Sequence, residues 1–163
     1  MTALSLISQC QTEVNSSDEA IFRTVLPMTL DSIIDTHVKE RNKIIVNELD
    51  DDIGISFIEY YQQESDTLQY QLIENVIQNF NQRPEIEFKQ IRHDNFELKK
   101  SGYSGRDLFG VMTLSRIALD DKQENGCFYI DYQCGKKCGS GYLVFITRNS
   151  HDWKINSIEK VWE

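Results

Sequence analysis

Cysteine carries the densest chemistry in this sequence. Cys127, Cys134 and Cys138 fall in one short stretch, and Gly135-Lys136-Lys137 separates the last two. Across a tight hairpin, that separation brings two Cα atoms within the roughly 7 Å a disulfide requires. A bridge closing so small a loop would mainly fix the turn. Two other states are chemically open. The pair could stay as free thiols, or it could join Cys127 and His151 in a zinc site. A redox-active pair usually has two intervening residues and opens a helix, which this spacing does not match.

Histidine offers less. His93-Asp94 and His151-Asp152 each set an imidazole beside a carboxylate in sequence, but chain neighbours often point apart. His37 falls in a helical pattern and is expected on a helix surface. The run Asp50-Asp51-Asp52-Ile53-Gly54 has the outline of a calcium loop. It fails as one, because Tyr61 stands where the bidentate glutamate belongs and the ligand alternation is absent. Nothing in the chain points to a cofactor, a metal ion or a catalytic constellation.

The acids have a second use. Asp50, Asp51, Asp52, Asp120, Asp121 and Asp131, if they share a face, make an anionic patch for a basic partner, with Tyr129 as an aromatic anchor. Tyr60, Tyr61, Tyr103 and Tyr132 enrich the chain further in tyrosine, and most are expected to pack in the core or on a sheet face.

The bulk composition fits that use. The chain has 163 residues, a net charge of −9, 40% hydrophobic and 26% charged residues. That suits one soluble domain with a sizeable core. The acidity argues against nucleic acid, which is held by clustered Lys and Arg, and against an anionic membrane surface. No stretch is long and apolar enough to span a bilayer. Leu6-Ile7-Ser8-Gln9-Cys10 is similar to the tail of a bacterial lipoprotein signal, in which Cys10 becomes the lipidated first residue. Gln9 fits poorly there, since cleavage prefers a small residue, and the other reading is a short segment packed on the domain. Residues 1–15 are thus an N-terminal segment, a signal remnant under the first reading, and residues 16–163 a single domain. The location follows: periplasm or cell envelope if Cys10 is processed, cytoplasm otherwise.

The elements that must position these residues are legible in outline. Ser16 and Glu19 form a capping box, predicting a helix that starts there. Ile21, Phe22, Val25, Leu26, Leu30, Ile33, Ile34 and Val38 give it one apolar stripe, and Pro27 should kink or split it. Lys43–Val46 is β-branched and predicts a strand. Residues 55–61 fit strand or helix. Ser65-Asp66 caps a helix with Leu68, Leu72, Ile73, Val76, Ile77 and Phe80 as its stripe. Residues 86–91 alternate loosely and predict a strand; residues 94–110 predict a loop with one short element. Strands are then expected at 111–119, 126–134, 142–147 and 153–162, the last with a bulge between Ile155 and Ile158 where the apolar parity changes. Gly135, Gly139 and Gly141 are expected to give the cysteine turn positive φ angles, with Trp153 packed beside it. Helices followed by antiparallel strands predict an α+β fold, with the helices on one face of a curved, mainly antiparallel C-terminal sheet.

The C-terminal third resembles a family of small bacterial proteins, many with lipoprotein-type N-termini. The resemblance rests on Leu114-Ser115-Arg116-Ile117, the hairpin Cys134-Gly135-Lys136-Lys137-Cys138-Gly139-Ser140-Gly141 and the strand Trp153-Lys154-Ile155. It covers about the last fifty residues and implies a fold and an envelope location, but no activity. The element order is also similar to nuclear-transport-factor-like cones and cystatin-like folds, which host enzymes, binders and inhibitors alike.

The expected function is that of a non-enzymatic acidic binder, an immunity-type inhibitor that neutralises a basic bacterial toxin by protein–protein contact. The alternatives are a small-ligand-binding envelope lipoprotein and an enzyme using the concave sheet face.

Overall fold

The computed structural model describes residues 10–34, 43–47, 54–82, 84, 86–100, 108–135, 138–150 and 152–163. His37, Asp50, Asp51, Asp52, Tyr103 and His151 lie outside the described residues, as does the side chain of Cys10.

The helices are α1 (Cys10–Ile33), α2 (Ile55–Gln62) and α3 (Thr67–Gln78). The strands are β1 (Lys43–Asn47), β2 (Phe96–Lys100), β3 (Leu108–Leu114), β4 (Ala118–Leu119), β5 (Asn125–Gly135), β6 (Cys138–Asn149) and β7 (Asp152–Trp162). They form one sheet in the order β2-β1-β3-β5-β6-β7, with β4 also on β5. The β3-β5-β6-β7 part is antiparallel, as the strand pattern predicts, while β1 is parallel to both β2 and β3. The fold is α+β, with helices from the N-terminal half packed on a mainly C-terminal sheet.

Alternation along β5 splits the core in two. Phe128, Ile130 and Tyr132 face α1, whose Ile21, Phe22, Val25, Leu26 and Leu30, with Ile34 just beyond its end, bury against them. Cys127 and Tyr129 face the other way, with Leu143 and Phe145 of β6, and are covered by Ile58 of α2 and Leu72, Ile73, Val76 and Phe80 near α3. Helices therefore cover both faces, not one. Both sides of β5 and β6 are apolar, so each side needs its own lid.

Several local expectations change. α1 already includes Cys10, so Ser16 and Glu19 lie inside the helix and not at its start. No Gly or Pro between Cys10 and Asp18 stops the helix earlier. Pro27 sits within α1 without splitting it, and the Thr29 hydroxyl donates to the Val25 carbonyl nearby (2.8 Å). Residues 86–91 form no strand. Ile86, Phe88 and Ile91 are buried from a chain that turns through one 3-10 turn at Phe88–Gln90. The segment 111–119 is broken at Ser115–Ile117 into β3 and β4. There the Ser115 hydroxyl accepts the Tyr129 N–H (2.8 Å) while the Ser115 N–H donates to the Tyr129 carbonyl (3.0 Å). The detour lets Arg116 reach the buried carboxyl of Asp18 (3.1 Å) and tie the sheet to α1. The bulge in β7 is present: Ser157 pairs with Phe145 and Ile155 with Ile146, leaving Asn156 as the extra residue.

Candidate protein-binding surface

The cysteine hairpin is a clamp at the tip of β5 and β6. Cys134 and Cys138 are both exposed and joined by a disulfide, with Cα atoms 5.3 Å apart. Cys127 is fully buried and reduced, seven residues down the strand and thus roughly 20 Å away. That distance separates it from the pair as a metal ligand. Burial pushes its thiol far above the usual range, which also removes it as a nucleophile. Among the described residues no cluster of three or more His, Cys, Asp or Glu side chains could hold a metal ion.

Trp162, and not Trp153, packs beside this hairpin. Trp153 pairs with Arg148 at the opposite end of β6 and packs on the α1 side. Nor do Gly139 and Gly141 supply positive φ; among the described residues other than glycine, that backbone occurs at Gln123 (54°) and Ser150 (59°). Gly141 is needed for space. A Cβ there would lie 2.0 Å from the indole nitrogen of Trp162.

The indole lies over Gly141 and donates its N–H to the Tyr129 hydroxyl (2.8 Å). That hydroxyl donates in turn to Oδ2 of Asp131 (3.3 Å), and the backbone N–H of Thr113 donates to Oδ1 (3.2 Å). Thr113, Asp131, Gly141 and Trp162 are register partners, one residue per strand across four strands. Asp131 is 4% exposed and Tyr129 fully buried. Neither can belong to a surface patch: their polar atoms are spent inside, on the network that seats α2. Gly54, which caps α2, approaches the Tyr129 ring so closely that a Cβ would sit 2.7 Å from it, and Phe57 of α2 packs on Trp162.

What this network presents is the outer side of α2 and α3. Asp66 caps α3, accepting the Gln69 N–H (2.9 Å), as the sequence predicts. Gln62 locks the two helices together, donating to Glu74 (2.7 Å) and to the Tyr70 carbonyl. Outward stand Phe57 (43% exposed), Tyr60 (67%), Leu68 (45%) and Tyr70 (46%). These are four of the five exposed large apolar side chains among the described residues. The charge along this stretch of chain is one-sided. Residues 44–82 hold eight acids and no Lys, Arg or His, whereas the other 124 residues hold 18 acids and 17 Lys or Arg. Glu59, Glu64, Asp66 and Glu74 are the acids of this run on α2, α3 and their turn.

Of the other proposed surface acids, Asp121 is exposed and Asp120 half-buried, both in the β4–β5 turn. Burial pushes the Asp120 carboxyl up. Hydrogen bonds from the Asn125 side chain and the Glu124 backbone outweigh this and hold it below the usual carboxylate range. This turn flanks α3, so Asp120 and Asp121 adjoin the α2–α3 surface. Sequence reasoning missed Phe57, Leu68 and Tyr70, though the absence of any basic residue from 44 to 82 was there to be read.

A separate groove follows residues 87–100. Lys89, Arg92, Lys99 and Lys100 alternate there with Glu87, Asp94 and Glu97, so it favours neither sign of ligand. His93 in its wall is held by Asp31 of α1 (3.1 Å) rather than by its neighbour Asp94.

No protein-family model matches the chain, and neither a curated protein nor a solved structure is similar to it. No helix among the described residues is long and apolar enough to cross a membrane.

Proposed function

We propose that this chain is a non-enzymatic binding protein that occludes a basic protein partner with the outer side of α2 and α3, in the manner of an immunity protein neutralising a bacterial toxin. The observation that carries the reading is the coincidence of two segregations. The exposed aromatic and aliphatic side chains gather on α2 and α3, and the same stretch of chain has eight acids with no basic residue. Exposed rings give a partner rigid anchors, and one-signed charge around them speeds encounter and rejects acidic proteins. The Gln62–Glu74 contact and the Trp162–Tyr129 network hold the surface in place before binding, which lowers the ordering cost.

The test is affinity capture from cells that express the protein, using the wild-type chain and the variant Tyr60→Ala/Tyr70→Ala. A single basic protein should be retained at low salt, weakened at high salt and weakened by about a hundredfold or more in the variant. The purified complex should then suppress the partner's toxicity. Recovering no protein, an acidic protein, or one indifferent to both salt and the variant would overturn the reading.

A further inference from the structure

Between α3 and the β4–β5 turn lies a cleft of about 350 Å³. We infer that it is the subsite that receives a lysine or arginine side chain of the partner; this rests on the reading above and names the group recognised. One wall is a single face of α3, with Leu68, Leu72 and Asn75 at helical spacing. The opposite wall is Leu119 and the turn. Its lining combines the apolar side chains of Leu68, Leu72 and Leu119 with the exposed carboxylates of Asp121 and Glu124.

The turn is built to hold those two acids outward. Asp120 spends both oxygens internally, accepting the Glu124 N–H (2.9 Å) and the Asn125 side-chain amide (2.7 Å). Gln123 takes the left-handed backbone that closes the turn. Lys122 is the one cation among the residues lining the cleft, set against Asp120, Asp121 and Glu124. An aliphatic stem ending in a cation matches both parts of the cleft. A neutral chain of the same length would meet the leucines and leave the acids unused, and an acidic one would be repelled.

The probes are Nα-acetyl-lysine amide, Nα-acetyl-arginine amide and the neutral Nα-acetyl-norleucine amide, titrated into the 15N-labelled full chain. The two cations should shift the amides of Asn75, Leu119 and residues 121–125 saturably, and norleucine should not. Asp121→Asn/Glu124→Gln should weaken the cations by about fivefold. Glu87→Gln/Glu97→Gln, which removes the same charge from the separate groove along residues 87–100, should leave them unchanged. Shifts without saturation, shifts spread over every acidic surface, equal shifts from norleucine, or equal weakening by both variants would each overturn the proposal. If the cleft fails while partner capture still depends on Tyr60 and Tyr70, only the subsite is lost. If the cleft binds cations but no partner is captured, the subsite stands and the inhibitor reading falls.

Discussion

The indole N–H of Trp162 lies 2.8 Å from the hydroxyl oxygen of Tyr129, and it reaches there across Gly141, where no side chain intervenes. The end of β7 is thereby tied to the core beneath α2 and α3. From Tyr129 the contacts run to Asp131 within the sheet and to Gly54 at the start of α2.

Tyr129→Phe keeps the ring and removes the link. The Trp162 N–H and Asp131 Oδ2 each lose a hydrogen-bond partner, which should cost about 1–3 kcal/mol. Urea denaturation followed by tryptophan fluorescence measures this. An unchanged midpoint would show that the network contributes nothing.

Gly141→Ala tests the close approach directly. Its methyl group would stand 2.0 Å from the indole nitrogen, so the indole must swing away and give up its bond to Tyr129. The loss should exceed that of Tyr129→Phe, at about 3 kcal/mol or more, because overpacking adds to the broken bond. Loss of near-ultraviolet circular dichroism with retained far-ultraviolet signal is the expected signature.

Thr113→Val should move the other way. The hydroxyl of Thr113 is buried with no hydrogen-bond partner, and Val fills the same volume without it. Removing that desolvated hydroxyl should stabilise the fold by about 1 kcal/mol. A loss of stability in thermal melts would reveal a role for the hydroxyl.

The Asp120 carboxyl sets an acid dependence. Its folded pKa is lowered, so the folded state holds its proton less readily than the unfolded chain. The stabilisation is complete above the unfolded value, about 3.9, and is lost as pH falls through the folded one. Asp120→Asn should therefore be less stable than wild type at pH 7, with the gap closing as the carboxyl of the folded protein is protonated in acid. A gap that persists in acid would mean that the turn does not depend on the charge.

The disulfide should matter modestly. It closes a loop of only a few residues, so Cys134→Ser/Cys138→Ser should cost about 2 kcal/mol. Reduction of the wild-type chain should lower its urea midpoint to that of the variant, while Cys127 stays unreactive to thiol reagents in the folded state. Rapid labelling of Cys127 would contradict its burial.

Local physics explains what was legible beforehand. The α1 stripe as far as Ile34 (Val38 lies outside the described residues), the α3 stripe apart from the exposed Leu68, the Asp66 cap, the strands β5 to β7 and the β7 bulge depend on spacing along the chain, and spacing is what a sequence displays. The Cys134–Cys138 bridge was legible for the same reason, because a hairpin sets the distance across it. The strand expected at residues 86–91 failed because Ile86, Phe88 and Ile91 can be buried without a ladder.

By itself, then, the sequence determined the α+β class, most of the elements, the acidity and its concentration between residues 44 and 82. Only the tertiary structure decided which acids and aromatics are free to meet a partner. Asp131 and Tyr129 have the composition of a binding patch, but cross-strand register turns them inward and joins them to Trp162. Phe57, Tyr60, Leu68 and Tyr70 look like core residues in a sequence, yet the core behind them is already filled by Ile58, Leu72, Ile73 and Val76. Burial is a property of what packs on a residue from distant parts of the chain, and no local pattern specifies it.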